Sequence, residues 1–192
     1  MPRIVVLISG HGSNLQALLD AEQRGELGGG RIVAVLSNRA DAYGLTRARQ
    51  AGIAAEHLSH KDFADRENFD AALAQCIDQH HPDLIVLAGF MRILSPAFVR
   101  HYAGRMINIH PSLLPKYPGM HTHARALEAG DPEHGATVHW VTEGVDEGPV
   151  ILQDRVPIFP GDTPESLQQR VHAIEHQLYP RAVRMLCEQM KT

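Results

Sequence analysis

Cysteine is scarce in this sequence: the 192 residues contain only two, Cys76 and Cys187, which lie far apart in the chain. Both fall in segments with helical spacing and apolar neighbours, where a free cysteine packs like a small hydrophobic residue. Such sparse use predicts two inert thiols and is typical of a reducing compartment.

The sequence also lacks a strong excess of charge and any long apolar run. A formal net charge of -4 does not indicate a surface for nucleic acid or for a membrane. No apolar run approaches the length of a membrane span, and the strand-like segment from Ile4 begins without the features of a leader. We therefore expect a cytoplasmic protein that binds neither nucleic acid nor a membrane, as a monomer or a homodimer.

Several signatures of catalytic chemistry are absent as well. The 13 histidines include the dense segments 80–81 and 121–123, but none has the spacing of HExxH or of a Cys-His zinc site. There is no Gly-x-Ser-x-Gly element, and neither cysteine has a His or Asn signature nearby, which argues against covalent catalysis. We expect no catalytic metal.

What the first half does contain is a regular alternation of strand and helix signals. Continuous apolar, β-branched runs predict buried strands, and helical spacing predicts the segments between them. This order predicts an α/β fold, a Rossmann-like, doubly wound, mostly parallel sheet with flanking helices. The predicted strands are 4–8, 32–36, 54–58 and 84–88, and the predicted helices are 14–23, 42–51 and 65–79.

The second half changes character. Its patterns predict strands over 106–110, 136–142 and 150–158, joined mostly by loops. Thr163 and Pro164 then form a good helix start, with a capping hydroxyl followed by proline in the first turn. We expect this helix to run toward the C-terminus, with a bend at Pro180.

A glycine-containing loop, residues 9–14 (SGHGSN), joins the first strand to the first helix. Glycines permit close approach of an anion to the backbone, and a helix start offers unpaired N–H groups. Leu15 replaces the third glycine of a dinucleotide fingerprint, no acid follows the second strand, and a Walker lysine is missing. The loop thus predicts a phosphomonoester site; the alternative is a glycine turn with a Ser or Asn cap.

Asn108 and His110 form a polar pair at the end of a predicted strand. Strand alternation puts both side chains on one face, and Pro111 then ends the regular structure. An amide donor and a histidine that can carry charge could stabilise an oxyanion and protonate a leaving nitrogen. The alternative is a core histidine that is satisfied by the backbone.

Asp146 lies in the turn 143–149 (EGVDEGP), which its glycines and proline shape. An acid in this turn could orient a histidine and favour its charged form. The alternative is an aspartate that only caps the turn.

Four segments, 8–17, 87–94, 108–115 and 146–151, match a known family, and the match runs along nearly the whole chain. The chain resembles the glycinamide ribonucleotide formyltransferases. Its Asn-x-His-x-Ser-Leu-Leu-Pro element marks the wider group of folate formyl-transferring and formyl-hydrolysing enzymes. Residues 117–123 narrow the resemblance to the glycinamide ribonucleotide branch of that group. A formyltetrahydrofolate deformylase is the alternative, although it would leave the phosphate loop without a purpose.

The resemblance implies that the formyl group of 10-formyltetrahydrofolate, a consumed cosubstrate, passes to the amine of glycinamide ribonucleotide in de novo purine biosynthesis. Transfer would be direct, through a tetrahedral intermediate and without a metal. The chain would form a single formyltransferase domain, 1–192, with a phosphate-binding half at 1–105 and a folate and catalytic half at 106–192.

The resemblance also implies a role for each matching residue. Asn108, His110 and Asp146 would be the catalytic trio, and His121 and Thr137 would support it. Gly12, Ser13 and Asn14 would bind the substrate phosphate, and Glu175 would bind ribose hydroxyls. The folate would contact Arg66, Met91, Arg92, Ile93, Leu94, Asn108, Thr142, Glu143, Gly144, Val145 and Asp146. One departure concerns His11, which stands where the family often has Asn and adds a titratable group to the phosphate loop.

Overall fold

The computed structural model describes residues 1–191 and contains a seven-stranded sheet. The order of the strands across the sheet is β3-β2-β1-β4-β5-β6-β7. The first five strands pair in parallel, and β6 and β7 pair antiparallel. The strands are β1 (Arg3–Ile8), β2 (Arg31–Ser37), β3 (Ala54–His57), β4 (Leu84–Leu87), β5 (Met106–His110), β6 (Glu133–Trp140) and β7 (Val150–Pro157).

Helices cover both faces of this sheet. The apolar side chains of α1, α2 and α6 join the core on one face, and those of α3 and α4 join the core on the other. The predicted α/β, doubly wound and mostly parallel fold is therefore confirmed. The helices are α1 (Ser13–Gln23), α2 (Tyr43–Gln50), α3 (Arg66–Asp78), α4 (Pro96–His101), α5 (Thr122–Glu128) and α6 (Pro164–Gln189).

The central strand β1 explains why both faces are covered. Ile4, Val6 and Ile8 contribute to one core, while Val5 and Leu7 contribute to the other, because successive side chains of a strand point to opposite faces. All five are at most 1% exposed. A continuous apolar run is what a strand buried on both faces requires.

Two short helices, α4 and α5, were not predicted. The short α4 is capped by Ser95, whose hydroxyl accepts the Phe98 N–H, and Pro96 is its first residue. In contrast, α5 follows His121, whose φ is 58° and whose side chain makes no cap. Helices this short repeat too few apolar positions to be detected by periodicity.

The C-terminal helix α6 passes through Pro180 as one helix, although proline removes a backbone donor. Thr163 and Ser166 form a reciprocal capping box at its start. The buried Tyr179 hydroxyl donates a 2.7 Å hydrogen bond to the Leu87 carbonyl, which fixes the helix to the centre of the sheet. This packing carries Glu175 to the carboxyl end of the parallel strands. Among residues 1–191, no helix is long and apolar enough to span a membrane.

Candidate active site

Two neighbouring strands bring four polar side chains to one face of the sheet. In the antiparallel register of β5 and β6, Asn108 lies opposite His139 and His110 lies opposite Thr137. Residues two apart on a strand share a face, and directly opposed residues point to the same side. The pairing of Asn108 with His110 was predicted. His139 was missed, although the same alternation places it with Thr137.

Asp146 reaches this group from the loop between β6 and β7. Its backbone has a φ of 54°, a left-handed conformation that aspartate tolerates better than most residues. Its Oδ2 lies 3.4 Å from His110 Nδ1 and accepts a 2.9 Å hydrogen bond from the Gly119 N–H. The side chain is 12% exposed. Asp146 is therefore more than a turn cap, because its carboxylate joins two loops to the histidine.

His110 is bonded on both sides of its ring. Its Nε2 is 2.8 Å from the Tyr117 carbonyl oxygen, and since a carbonyl only accepts, Nε2 must carry a proton. Nδ1 faces the Asp146 carboxylate. The two acceptors can therefore hold the imidazole with a proton on each nitrogen. The Tyr117 carbonyl is a contact that no side-chain pattern indicates.

Thr137 fixes the turn that follows His110. Its buried hydroxyl donates to the Ser112 carbonyl at 2.7 Å and accepts from the Leu114 N–H at 3.1 Å. The Gln153 amide donates to the same hydroxyl at 2.9 Å and to the Leu114 carbonyl at 2.8 Å. Thr137 thus acts on the backbone of residues 112–114 rather than on the face of the imidazole. By contrast, His121 is exposed at the start of α5.

Within the glycine loop, Gly12 directly precedes α1. It has a φ of 82°, and no side chain caps the helix. A Cβ at Gly12 would lie 2.8 Å from the Gly44 Cα, so glycine is required for packing as well as for conformation. The expected alternative, a Ser or Asn cap, is not what the structure contains. The Asn14 amide instead donates to Glu175 Oε1 at 3.1 Å.

Glu175 is a buried residue on α6, only 5% exposed, and not a solvated helix charge. Burial raises the pKa of its carboxyl, and the hydrogen bond from Asn14 opposes this effect. Its Oε2 and the Asn14 Oδ1 are buried and have no hydrogen-bond partner among residues 1–191. Oε2 lies 3.9 Å from His172 Nε2, longer than a hydrogen bond, so both oxygens can still accept hydrogen bonds from ligand hydroxyls or amines.

His11 is tied to α2 rather than to the start of α1. Its Nε2 lies 2.7 Å from Arg47 Nη2, and since arginine only donates, this nitrogen accepts. Arg47 also donates to the His11 carbonyl at 2.8 Å. The His11 ring stacks on Tyr43 with centroids 5.4 Å apart. His11 therefore connects the glycine loop to the Arg47 guanidinium.

The predicted folate residues include three exposed apolar side chains and one stacked cation. Met91, Ile93 and Val145 are 75%, 66% and 61% exposed, unusually high values for large apolar side chains. The Arg92 guanidinium lies 4.5 Å from the Phe69 ring centroid, and its buried Nε has no partner among residues 1–191. The other predicted members differ in burial: Leu94 and Gly144 are half-buried, Arg66 and Thr142 are exposed, and Glu143 pairs with Arg100 at 2.8 Å.

One hydroxyl ties together the loops after three strands. Ser9 Oγ, just beyond β1, donates to Asn38 Oδ1 beyond β2 at 2.6 Å, and it accepts the Met91 N–H beyond β4 at 2.7 Å. Asn38 stands near the position where a dinucleotide fold places its acid, and here it serves this connection. No group of three or more His, Cys, Asp or Glu side chains within residues 1–191 is arranged to hold a metal ion.

The family model described as formyl transferase matches residues 2–183, and the chain belongs to this family. It is thus a transferase.

Individual relatives show which kind of formyl transferase this chain is similar to. The chain is 59% identical over 180 residues to the phosphoribosylglycinamide formyltransferase of Escherichia coli K12, which covers 94% of this chain and 84% of the relative. The structure of that enzyme from Coxiella burnetii has 56% identity and a TM-score of 0.92, and it covers 97% of this chain and 87% of its own. Glycinamide ribonucleotide transformylase 1 of Symbiobacterium toebii has 50% identity and a TM-score of 0.95, with 98% and 89% covered. The resemblance drawn from the four sequence segments is confirmed.

Proposed function

We propose that this protein transfers the formyl group of 10-formyltetrahydrofolate to the amine of glycinamide ribonucleotide in de novo purine biosynthesis. The observation that carries the proposal is the His110–Asp146 contact of 3.4 Å beside Asn108, at the same sheet edge as the glycine loop. The names of the relatives agree with it. A deformylase would use the trio but would have no need of a phosphate site.

Asn108 and His110 stabilise the negative charge that develops on the formyl oxygen as the amine attacks. Asn108 is half-buried, and its amide donates to no other residue in the described part of the chain, so it is available to substrate. His110 becomes a second donor when its Nε2–H exchanges the Tyr117 carbonyl for the formyl oxygen, while Asp146 keeps Nδ1 oriented. The loss of one donor of this kind costs about 100- to 1000-fold in rate.

Asp146 relays the proton that must leave the attacking amine and reach the departing folate nitrogen. Its carboxylate is mostly buried and touches His110, so a proton held there stays within the site. The net charge of the site therefore stays the same while the proton moves from the amine to the folate nitrogen. Orientation of the two substrates contributes much of the remaining acceleration, because both must be held together at this edge.

The glycine loop and α6 hold the ribonucleotide. Gly12, Ser13 and Asn14 supply backbone and side-chain donors to the phosphate at the positive end of α1. The free Oε2 of Glu175 accepts hydrogen bonds from ribose hydroxyls, since a buried acceptor without a partner is costly. The two functional halves, 1–105 and 106–192, then meet at the bound substrate.

The folate lies against the exposed apolar side chains of Met91, Ile93 and Val145. Apolar surface with a few placed polar groups suits a pterin and its aromatic linker. Arg92 binds a carboxylate of the glutamate tail, because a guanidinium forks onto a carboxylate and its Nε here is unpartnered. Arg66, exposed at the start of α3, adds charge nearby.

The test follows tetrahydrofolate release from 10-formyltetrahydrofolate with and without glycinamide ribonucleotide. Release that requires the ribonucleotide, with formation of formylglycinamide ribonucleotide, is the expected result. Release of formate at the same rate without it would identify a deformylase. No release in either case would overturn the formyl-transfer proposal.

A further inference from the structure

A second buried histidine borders Asp146. His139 is 3% exposed and lies on the same sheet face as Asn108, its register partner. Its Nε2 is 3.7 Å from Asp146 Oδ1 and has no hydrogen-bond partner among residues 1–191. A buried polar atom without a partner is uncommon in proteins and calls for an explanation.

The other ring nitrogen fixes the position of the proton on His139. Nδ1 lies 3.0 Å from the Trp140 carbonyl oxygen, and since this oxygen only accepts, Nδ1 carries the hydrogen. Burial lowers the pKa of His139, against the opposing influence of the Trp140 carbonyl and Asp146. Burial thus favours the neutral ring, in which Nε2 is an acceptor that lies 3.7 Å from Asp146 Oδ1.

The two oxygens of Asp146 have different surroundings. Oδ2 accepts the Gly119 N–H at 2.9 Å and faces His110 Nδ1, whereas Oδ1 faces His139. A lone pair repels an ionised carboxylate oxygen, which agrees with a separation of 3.7 Å, longer than a hydrogen bond. A proton on Oδ1 would reverse this repulsion. A shift of about 1 Å would then close an O–H···N hydrogen bond of ordinary length.

We propose that His139 is a positioning residue for Asp146, whose Oδ1 donates a hydrogen bond to the neutral Nε2 whenever the carboxyl carries the relay proton. This inference rests on the proposed function. The proton leaves the attacking amine, stays on Oδ1 and passes to the folate nitrogen, while His139 keeps its own proton on Nδ1 throughout. Oδ2 meanwhile keeps its contacts with His110 and Gly119.

The first test observes the ring of His139 directly. In the free wild-type enzyme at the pH of the activity assay, ¹⁵N NMR of the histidine side chains, assigned with His139→Gln, should find Nδ1 protonated and Nε2 unprotonated. A protonated Nε2 would mean that His139 donates to the carboxylate as an ordinary ion pair, and the inference would be overturned. This measurement needs no turnover.

The second test compares two substitutions at the same site. Glutamine keeps an acceptor oxygen near the position of Nε2, whereas leucine fills a similar volume without one. His139→Leu should lower kcat by about 10- to 100-fold, less than the 100- to 10,000-fold typical of a group that itself transfers the proton, with little change in either KM. His139→Gln should recover most of this loss.

The controls separate a failure of this inference from a failure of the proposed function. Circular dichroism and thermal unfolding establish that both variants fold. Equal losses of kcat in the two variants, or a loss confined to KM, would indicate a structural role and overturn the inference while wild-type transfer stands. A wild-type protein that releases no product would overturn the proposed function, and the inference with it, whatever the NMR spectrum contains.

Discussion

The Asn14 amide donates a 3.1 Å hydrogen bond to Glu175, 161 positions later in the chain, and so joins the start of α1 to the middle of α6. One carboxylate oxygen is used in this bond, and the other has no hydrogen-bond partner among residues 1–191, although it lies 3.9 Å from His172 Nε2. The contact therefore fixes the carboxylate while leaving one oxygen available to a ligand at the glycine loop.

Glu175→Gln should raise the KM for glycinamide ribonucleotide by about 10- to 100-fold, because hydrogen bonds to a charged acceptor are worth about 1.5–3 kcal/mol. The KM for 10-formyltetrahydrofolate should change little. Steady-state kinetics with each substrate varied in turn provides the measurement. Glu188→Gln is the matched control, since Glu188 lies on the same helix but is half-exposed and pairs with Arg184. Equal effects on both substrates would rule out a ribose contact.

The same substitution should change how stability depends on pH. Because burial raises the pKa of Glu175 above its ordinary value of 4.5, the folded state binds this proton more tightly than the unfolded state. The contribution of Glu175 to the free energy of unfolding is fully present below pH 4.5, and it is lost as the pH rises toward the pKa of the folded state. Glu175→Gln should therefore gain stability relative to wild type across that window. Denaturant unfolding at several pH values provides the measurement. If the free energies of unfolding of wild type and Glu175→Gln depended on pH in the same way, the prediction would be wrong.

The fold could be predicted largely from the sequence because its central strands are buried on both faces. Ile4 to Ile8 must be apolar throughout, and such a run is easily recognised. Short elements fail for the opposite reason. Before α5, the cap residue is His121 at φ 58° with no side-chain cap, so none of the usual start signals precedes the helix.

The candidate site was only partly predictable. Strand alternation places Asn108 beside His110, and it would also have found His139 through Thr137. The Tyr117 carbonyl and the Gly119 N–H carry no side-chain signal, since any residue supplies them. The contact between Asn14 and Glu175 depends on how α6 packs across the sheet, which local patterns cannot determine.

Gly12→Val should weaken binding of glycinamide ribonucleotide by about 10-fold or more and leave folate binding nearly intact, because a donor displaced from the phosphate loses a charge-assisted hydrogen bond. The side chain would clash with the Gly44 Cα at 2.8 Å and strain a backbone with a φ of 82°. Gly25→Val is the control, because Gly25 also has a positive φ of 71° but nothing lies within 4 Å of its Cβ position. Isothermal titration of each ligand provides the measurement. Equal losses of affinity for glycinamide ribonucleotide and for folate in Gly12→Val would mean that the loop is only structural.

Arg92→Ala should raise the KM for 10-formyltetrahydrofolate by about 10-fold or more and lower kcat much less, because a tail carboxylate is bound far from the reacting atoms. Arg105→Ala is the control, since Arg105 also stacks on an aromatic ring of the same core, 5.0 Å from the Tyr102 centroid. This control should lose stability without a change in the folate KM. A fall in kcat with an unchanged KM would instead place Arg92 among the catalytic residues.

His110 and Asp146 should behave as one unit in mutant kinetics. If they share the proton relay, removing either one disables most of what both contribute, and groups that act together are strongly non-additive. His110→Ala and Asp146→Ala should each lower kcat by about 100- to 10,000-fold, the range for a general acid or base. The double mutant should be little worse than the poorer single mutant.

The measurement is a double-mutant cycle on kcat, with binding of glycinamide ribonucleotide as the control, because the phosphate contacts should survive in all three variants. Asp146 adopts a φ of 54°, so alanine at this position strains the backbone in addition to removing the charge. Asp146→Asn tolerates this conformation and removes only the carboxylate, and its kcat should match that of Asp146→Ala. Fully additive losses would mean that the two groups act independently, and the shared relay would have to be abandoned even though the family assignment would stand.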